Sequence, residues 1–317
     1  MSVECLSNKI VLRGGFVNSH SHLDRADTEK YFSYEEKHKH LKEKWKLVDK
    51  IKKQSSYKDY KERINIALDK QIEKGISKVC SFIDVDSIVS SKAIIAASEV
   101  AKQRNDIQLV IACQTLKGVI DQTSKTLILN SMHMIDIIGS LPGADKGKES
   151  EHLDIVMTWA KKYNKRLHVH VDQLNTPDEK ETELLARKTI EHGLEGKVTA
   201  VHSISLACHH KKYREEVYKI CQDANLSFVT CPSAWIDHPR SEVMMPFHNA
   251  VTPVDEILKH GLTVAIGTDN IQDVYKPYCD GDMMFELRML LESCKIYDED
   301  ILVDIATKNG KIVLGVE

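Results

Sequence analysis

Eight short runs rich in Val, Ile, Leu and Phe recur along the chain, and each gives way to a segment of helical pattern. In order they occupy 15–20, 77–84, 108–114, 135–139, 166–172, 197–202, 226–231 and 262–268. Several are near-continuous apolar runs, which suits parallel strands buried on both faces. The amphipathic segments 57–75, 153–165, 179–193 and 214–225 lie between them, with Gly75 and Gly193 placed as helix stops. Eight β-then-α units in succession are what a (β/α)8 barrel requires, whereas a doubly wound open sheet usually takes five or six. The fold class is therefore α/β, a TIM barrel. Its 317 residues (1–317) form one domain, although length alone suggests two. The connection 23–56, with its charged and aromatic tract KYFSYEEKHKHLKEKWK, is far longer than a normal βα loop. It is expected to fold as a lid-like helical insertion over the barrel mouth.

Composition narrows the function class. Hydrophobic residues at 42% and charged residues at 29% give an ordinary globular balance. Lys+Arg 44 against Asp+Glu 47 leaves a net charge of -3, with no basic surplus to drive nucleic-acid binding. No apolar run approaches a membrane span, and the first fifteen residues lack the apolar core of a secretory signal. Eight scattered cysteines with no CxxC fit reduced thiols in a cytoplasm. The expected partner is a small-molecule substrate.

In such a barrel the βα loops build the site, so the C-terminal ends of the strands are where chemistry is read. Strand one ends in Asn18-Ser19-His20-Ser21-His22 and strand five in His168-Val169-His170-Val171-Asp172-Gln173. Strand six ends in Val201-His202 and strand eight in Gly267-Thr268-Asp269-Asn270. Residues two apart share a face, so His20 and His22 point into the mouth together. Strands five and six stand across the barrel from strand one, and strand eight is its neighbour. Imidazoles from opposite walls and a carboxylate beside them can converge on one divalent ion with an open position. Mixed imidazole and carboxylate ligands suit zinc, iron or manganese.

These residues carry a resemblance. GGFVNSHSHLD (14–24), LHVHVDQLN (167–175), VTAVHS (198–203) and IGTDNIQDVYKPYCDGDM (266–283) resemble the amidohydrolase superfamily. FIDVDS (82–87), CQTLKG (113–118) and GKIVLGVE (310–317) are similar to its branch of cytosine deaminase and N-isopropylammelide isopropylaminohydrolase. The resemblance implies hydrolysis of a C–N bond in a nucleobase-like or other cyclic amidine or amide. It makes His20, His22, His170 and Asp269 the ligands of one divalent metal, with His202 beside it and Gln114 at the substrate. No lysine ends strand four, so a two-metal site bridged by a carbamylated lysine is not expected. His168 faces inward one layer deeper and is read as supporting the site and not as a ligand.

Asp269 is expected to relay a proton from water to the leaving group, and His202 to hydrogen-bond the charge that develops at the tetrahedral carbon. Two departures follow. The glutamate that serves cytosine deaminase as ring acid is Gln173 here, and an amide has no titratable proton near neutral pH. The second strand-five histidine of the isopropylaminohydrolase is Asp172, either a replacement acid or a structural partner. Gln173 keeps open an alternative, a catalytically degenerate barrel that binds a small molecule or partner. The β-sandwich that flanks relatives at both ends is not expected here, because His20 comes so early. That leaves walls for a homo-oligomer to cover. Arg25 is a candidate pocket charge, Asn270 a substrate contact, and Trp235 and Tyr275 are placed to stack on a planar ligand. The cluster Lys37 to His40 is read as a solvated helix face, and His209 to Lys212 as a helix start at the rim.

Overall fold

The computed structural model describes residues 2–237 and 251–317, with the side chains of 235–237 left out of the description. Its strands are β1 (Phe16–Ser21), β2 (Ile76–Asp84), β3 (Gln108–Gln114), β4 (Ile137–Ser140), β5 (Arg166–Val171), β6 (Val198–His202), β7 (Ser227–Thr230) and β8 (Val264–Ile266). They pair in sequence order, every ladder parallel. A bridge between Ser21 and Asp269 joins the last strand end to the first, so the sheet closes into a barrel. Among the described residues no strand lies outside these eight.

The helices between them follow the amphipathic segments. They are α1 (Val3–Leu12), α2 (Tyr34–Lys37), α3 (Leu41–Gln54), α4 (Tyr57–Glu73), α5 (Lys92–Gln103), α6 (Gln122–Ser131) and α7 (Glu149–Tyr163). There follow α8 (Glu181–His192), α9 (Lys211–Asp223), α10 (Val254–Lys259), α11 (Met283–Cys294), α12 (Glu299–Ala306) and α13 (Lys308–Leu314). Ser56 caps α4 in a reciprocal box with Asp59, which explains why the helix begins there. Gly193 ends α8 at φ 63, a left-handed position where glycine pays no steric cost. No described helix is long and apolar enough to cross a membrane.

Alternation along buried strands divides the core in two. Outward residues meet the helix ring, while Val17, Phe82, Val110, Ala112, Val201, Val229 and Ala265 fill the barrel interior. Val313 and Leu314 of α13 join that interior cluster. The connection 23–56 carries α2 and α3, and α3 docks through Leu41, Val48 and Ile51 on Leu116, Leu141, Val274 and Tyr275. Those partners sit on loops after β3, β4 and β8, so α3 lies on the end of the barrel where these strands finish.

Candidate metal centre and substrate cavity

Close approach of β8 to β1 sets the centre. A side chain at Gly267 would put its Cβ 2.7 Å from the His20 backbone oxygen and Cβ, so only glycine lets the two strands meet. The Thr268 and Asp269 N–H groups both donate to the His20 carbonyl at 3.1 and 3.0 Å. Asn18 ties the same seam, donating to Gln71 Oε1 and Thr268 Oγ1 and accepting from the Thr268 N–H. At the strand ends the backbone turns left-handed, at φ 59 for Asp269 and φ 77 for His202. These are costly conformations for residues with a Cβ, and they aim both side chains across the mouth.

The result is a cluster of buried imidazoles around one carboxylate. The His20 ring lies 4.7 Å from that of His170 and 5.2 Å from that of His202, with Phe82 packed beneath at 4.5 Å. The Nε2 atoms of His20 and His22 lie 3.3 and 3.2 Å from Asp269 Oδ1. Two ligands at ~2.1 Å from one tetrahedral ion would stand ~3.4 Å apart, so these spacings fit a shared cation. Ligand atoms of His20, His22 and His170 lie within 4.8 Å of one another, as do those of His20, His202 and Asp269. Nδ1 of His22 and both ring nitrogens of His20 are buried without a hydrogen-bond partner. A divalent ion beside Asp269 would satisfy the open Nε2 of His20.

Electrostatics prepare the same set. Burial keeps His20, His22 and His170 below the usual histidine value, and pushes His202 and His168 down to about 3. All five are then neutral imidazoles at pH 7, the form in which a ring nitrogen can ligate. Burial works against Asp269, yet its close contacts with the His20 and His22 rings and the nearby His202 hold it well below the ordinary carboxylate range. His168 sits deeper, its Nε2 2.9 Å from the Val313 carbonyl at the barrel floor.

Above the centre is a narrow cavity with about 30 Å3 of room for water-sized molecules. It is lined by His22, Arg25, Leu41, Trp45, Gln114, Leu116, Leu141, His170, Gln173, His202, Asp269, Asn270 and Tyr275. Gln114 donates through Nε2 to Asp84 at 3.4 Å, which leaves its buried Oε1 without a partner. The Arg25 guanidinium lies 5.1 Å over the Tyr275 ring, between Asp273 at 3.5 Å and Asp84 at 3.6 Å. Its Nε and one terminal nitrogen have no hydrogen-bond acceptor. Asn270 donates to Asp273, which fixes the neighbouring amide.

Asp172, expected at the substrate, is placed elsewhere. At φ 54 its side chain leaves the strand alternation, and its carboxylate accepts the first N–H groups of α8, from Glu181 at 2.7 Å and Thr182 at 3.1 Å. A carboxylate committed to a helix start has no proton to deliver in the cavity. Asp172→Ala should therefore cost about 1–3 kcal/mol of stability while leaving kcat essentially unchanged. A melt paired with a turnover assay reads both, and a large loss of kcat at unchanged stability would contradict this placement. The Trp235 side chain lies outside the described residues. His38 is exposed and His40 heads α3, while His209 meets the Glu179 carbonyl at 2.7 Å.

Several residues here escaped notice in the sequence. Trp45 and Leu41 of α3 line the cavity. Lys52 of the same helix is buried, 3.0 Å from Asp84 and 2.6 Å from Asp86, pinning α3 to the end of β2. Lys276 is buried too, donating to the Thr268 carbonyl at 2.6 Å just below Asp269. Beyond β5, burial and the charge of Asp172 push Glu179 up to about 7 and Glu181 up to about 8. The folded chain thus keeps protons that the unfolded chain, near 4.5, releases, so stability falls as pH rises between about 4.5 and 8. Glu181→Gln removes the charge and keeps an acceptor for the Asp172 N–H. Its Tm advantage over wild type should be absent at about pH 4.5 and widest near pH 9; a gap that does not vary with pH would contradict it.

Comparison with known proteins agrees with this picture. Residues 145–307 match the family described as the amidohydrolase family. An uncharacterised protein of Haemophilus influenzae is 43% identical over 260 residues, which span 80% of this chain and 94% of that one. N-isopropylammelide isopropyl amidohydrolase of a Pseudomonas species is 27% identical over 96% of this chain and 74% of its own. Among solved structures, 5-methylcytosine deaminase from Klebsiella pneumoniae with 5-fluorocytosine superposes with a TM-score of 0.87 at 22% identity. That alignment covers 95% of this chain and 74% of the other. From strand-end histidines to family match, the chain belongs to the amidohydrolase family.

Proposed function

We propose that this protein hydrolyses a C–N bond at an sp2 carbon of a nucleobase-like or other cyclic amide or amidine, releasing ammonia or an amine. The observation that carries this reading is the convergence of His20, His22, His170 and Asp269 at the floor of a small polar cavity. Those four residues would hold one divalent ion, zinc, iron or manganese. Such an ion, when bound, supplies the Lewis acidity that makes water a nucleophile at neutral pH.

The chain's own groups do the rest. Asp269, held ionised, takes the proton of the attacking water and passes it to the departing nitrogen. His202, neutral and lining the cavity, donates a hydrogen bond to the oxygen or nitrogen on which charge develops. Gln114 presents Oε1 as an acceptor, and the Arg25 guanidinium, held between Asp84 and Asp273, brings positive charge to the cavity wall. Together they complement a ring edge carrying an N–H beside a carbonyl. Leu41 and Trp45 roof the cavity and exclude water.

The name of the Pseudomonas relative supports a ring substrate that loses an exocyclic amine. One observation favours a second reading, a barrel that binds without turning over. Gln173 stands in the cavity where a proton donor would serve ring deamination. Metal analysis with an ammonia-release screen over cyclic ureas, pyrimidines, purines and triazines separates the two. Metal-loaded protein that binds a ring compound and releases nothing from any of them would overturn the hydrolase reading.

A further inference from the structure

We propose that Ser140, His152 and Asp145 form a buried positioning relay that fixes the tautomer of His170, an inference resting on the reading of His170 as a metal ligand. Ser140 is the last residue of β4, and its carbonyl accepts His170 Nδ1–H at 3.2 Å. With Nδ1 carrying the hydrogen, the lone pair is on Nε2, free to face the metal position. The direction of that carbonyl therefore decides whether His170 can ligate.

Three contacts hold it. Ser140 Oγ meets His152 Nε2 at 2.7 Å, and His152 Nδ1 meets Asp145 Oδ2 at 2.6 Å. A carboxylate only accepts, so His152 carries a hydrogen on Nδ1, and its Nε2 shares a second hydrogen bond with the Ser140 hydroxyl. The serine rotamer is thereby set, and with it the end of β4. Asp145 Oδ2 also accepts the Val119 N–H at 2.8 Å. Gly118 sits so close that a Cβ there would lie 2.0 Å from Asp145 Oδ1. One carboxylate thus ties the loop after β3 and the start of α7 to the strand end that orients His170.

Serine, imidazole and carboxylate in this order also describe an activated nucleophile. Ser140 is 2% exposed and His152 0%, however, and neither lines the cavity, so a substrate does not reach the hydroxyl. Nothing here touches substrate, so these residues act through His170.

The test is zinc affinity by chelator competition, with the visible spectrum of the cobalt-substituted protein as a second readout. Ser140→Ala and His152→Ala should each weaken zinc binding about 10–100-fold and shift the cobalt bands. His152→Gln, which retains a donor and an acceptor, should recover part of the loss. Should His152→Ala fail to fold, Ser140→Ala, which deletes a single hydroxyl, gives the same decision. Variants that melt earlier but bind zinc and display cobalt bands as wild type does would reduce the trio to a structural brace and overturn the relay. Labelling of Ser140 by an activated-serine reagent would overturn it in favour of a nucleophile. Wild-type protein that binds neither ion would overturn the metal reading first and the relay with it.

Discussion

A His20→Ala, His22→Ala double variant should purify without the roughly one equivalent of divalent metal per chain expected of the wild type, and without hydrolytic turnover. Both rings come from one strand end, and both aim Nε2 at the same oxygen of Asp269. Removing them leaves His170 and Asp269, and two ligands without the opposing pair do not close a tetrahedron. Several kcal/mol of Lewis-acid stabilisation disappears with the ion, on the order of 10³-fold or more in kcat. The fold should persist, because the barrel closes through backbone contacts of His20 and through Gly267 and Asn18, none of which needs an imidazole. Elemental analysis and circular dichroism of the same preparation read both halves of the claim. Two full-occupancy ions per wild-type chain would overturn the single-metal reading, and retention of one equivalent in the double variant would overturn the ligand assignment.

Why the strand-end histidines stand out in the sequence and their surroundings do not follows from the geometry of strands. A parallel strand buried on both faces writes itself as an apolar run, so all eight were legible, and a histidine at its C-terminal end has one place to go. Alternation served as far as His170 and failed two residues later. Asp172 adopts φ 54, which rotates its side chain out of the register that His168 and His170 keep and sends it to the start of α8. No one-dimensional period carries that change of hand. Lys52, Asp84 and Asp86 were illegible for another reason: their ion pairs join α3 to β2 across more than thirty residues. A lysine on a helix otherwise rich in charge reads as solvated until the packing is known. Trp45 was hidden in the same way, although the α3 segment LKEKWKLVDKI does place Leu41, Trp45 and Val48 on one face, the signal that could have found it.

Gln173→Glu should raise ammonia release from cytosine about 10²-fold over wild type. Hydroxide addition to a pyrimidine builds charge on the ring nitrogen, and among the described residues the cavity offers no free carboxylic acid to quench it. Asp269 is the only carboxylate among the described lining residues, and it is ionised and occupied with the water proton. Asp172, the preceding residue, is spent on α8. A glutamate at 173 would sit half-buried, where partial desolvation raises its pKa and keeps it protonated part of the time. It would thus acquire the state that an amide lacks. The native substrate should respond in the opposite sense. Arg25 meets developing negative charge by attraction and not by proton transfer, and a new carboxylate in the same cavity competes for that guanidinium, weakening substrate binding. A rise on cytosine with a fall on the native ring identifies residue 173 as the point where ring protonation was given up. If cytosine release stays at the wild-type level, proton delivery at this strand end is irrelevant to the reaction. The departing nitrogen is then one that Asp269 protonates unaided, as in an open-chain amide.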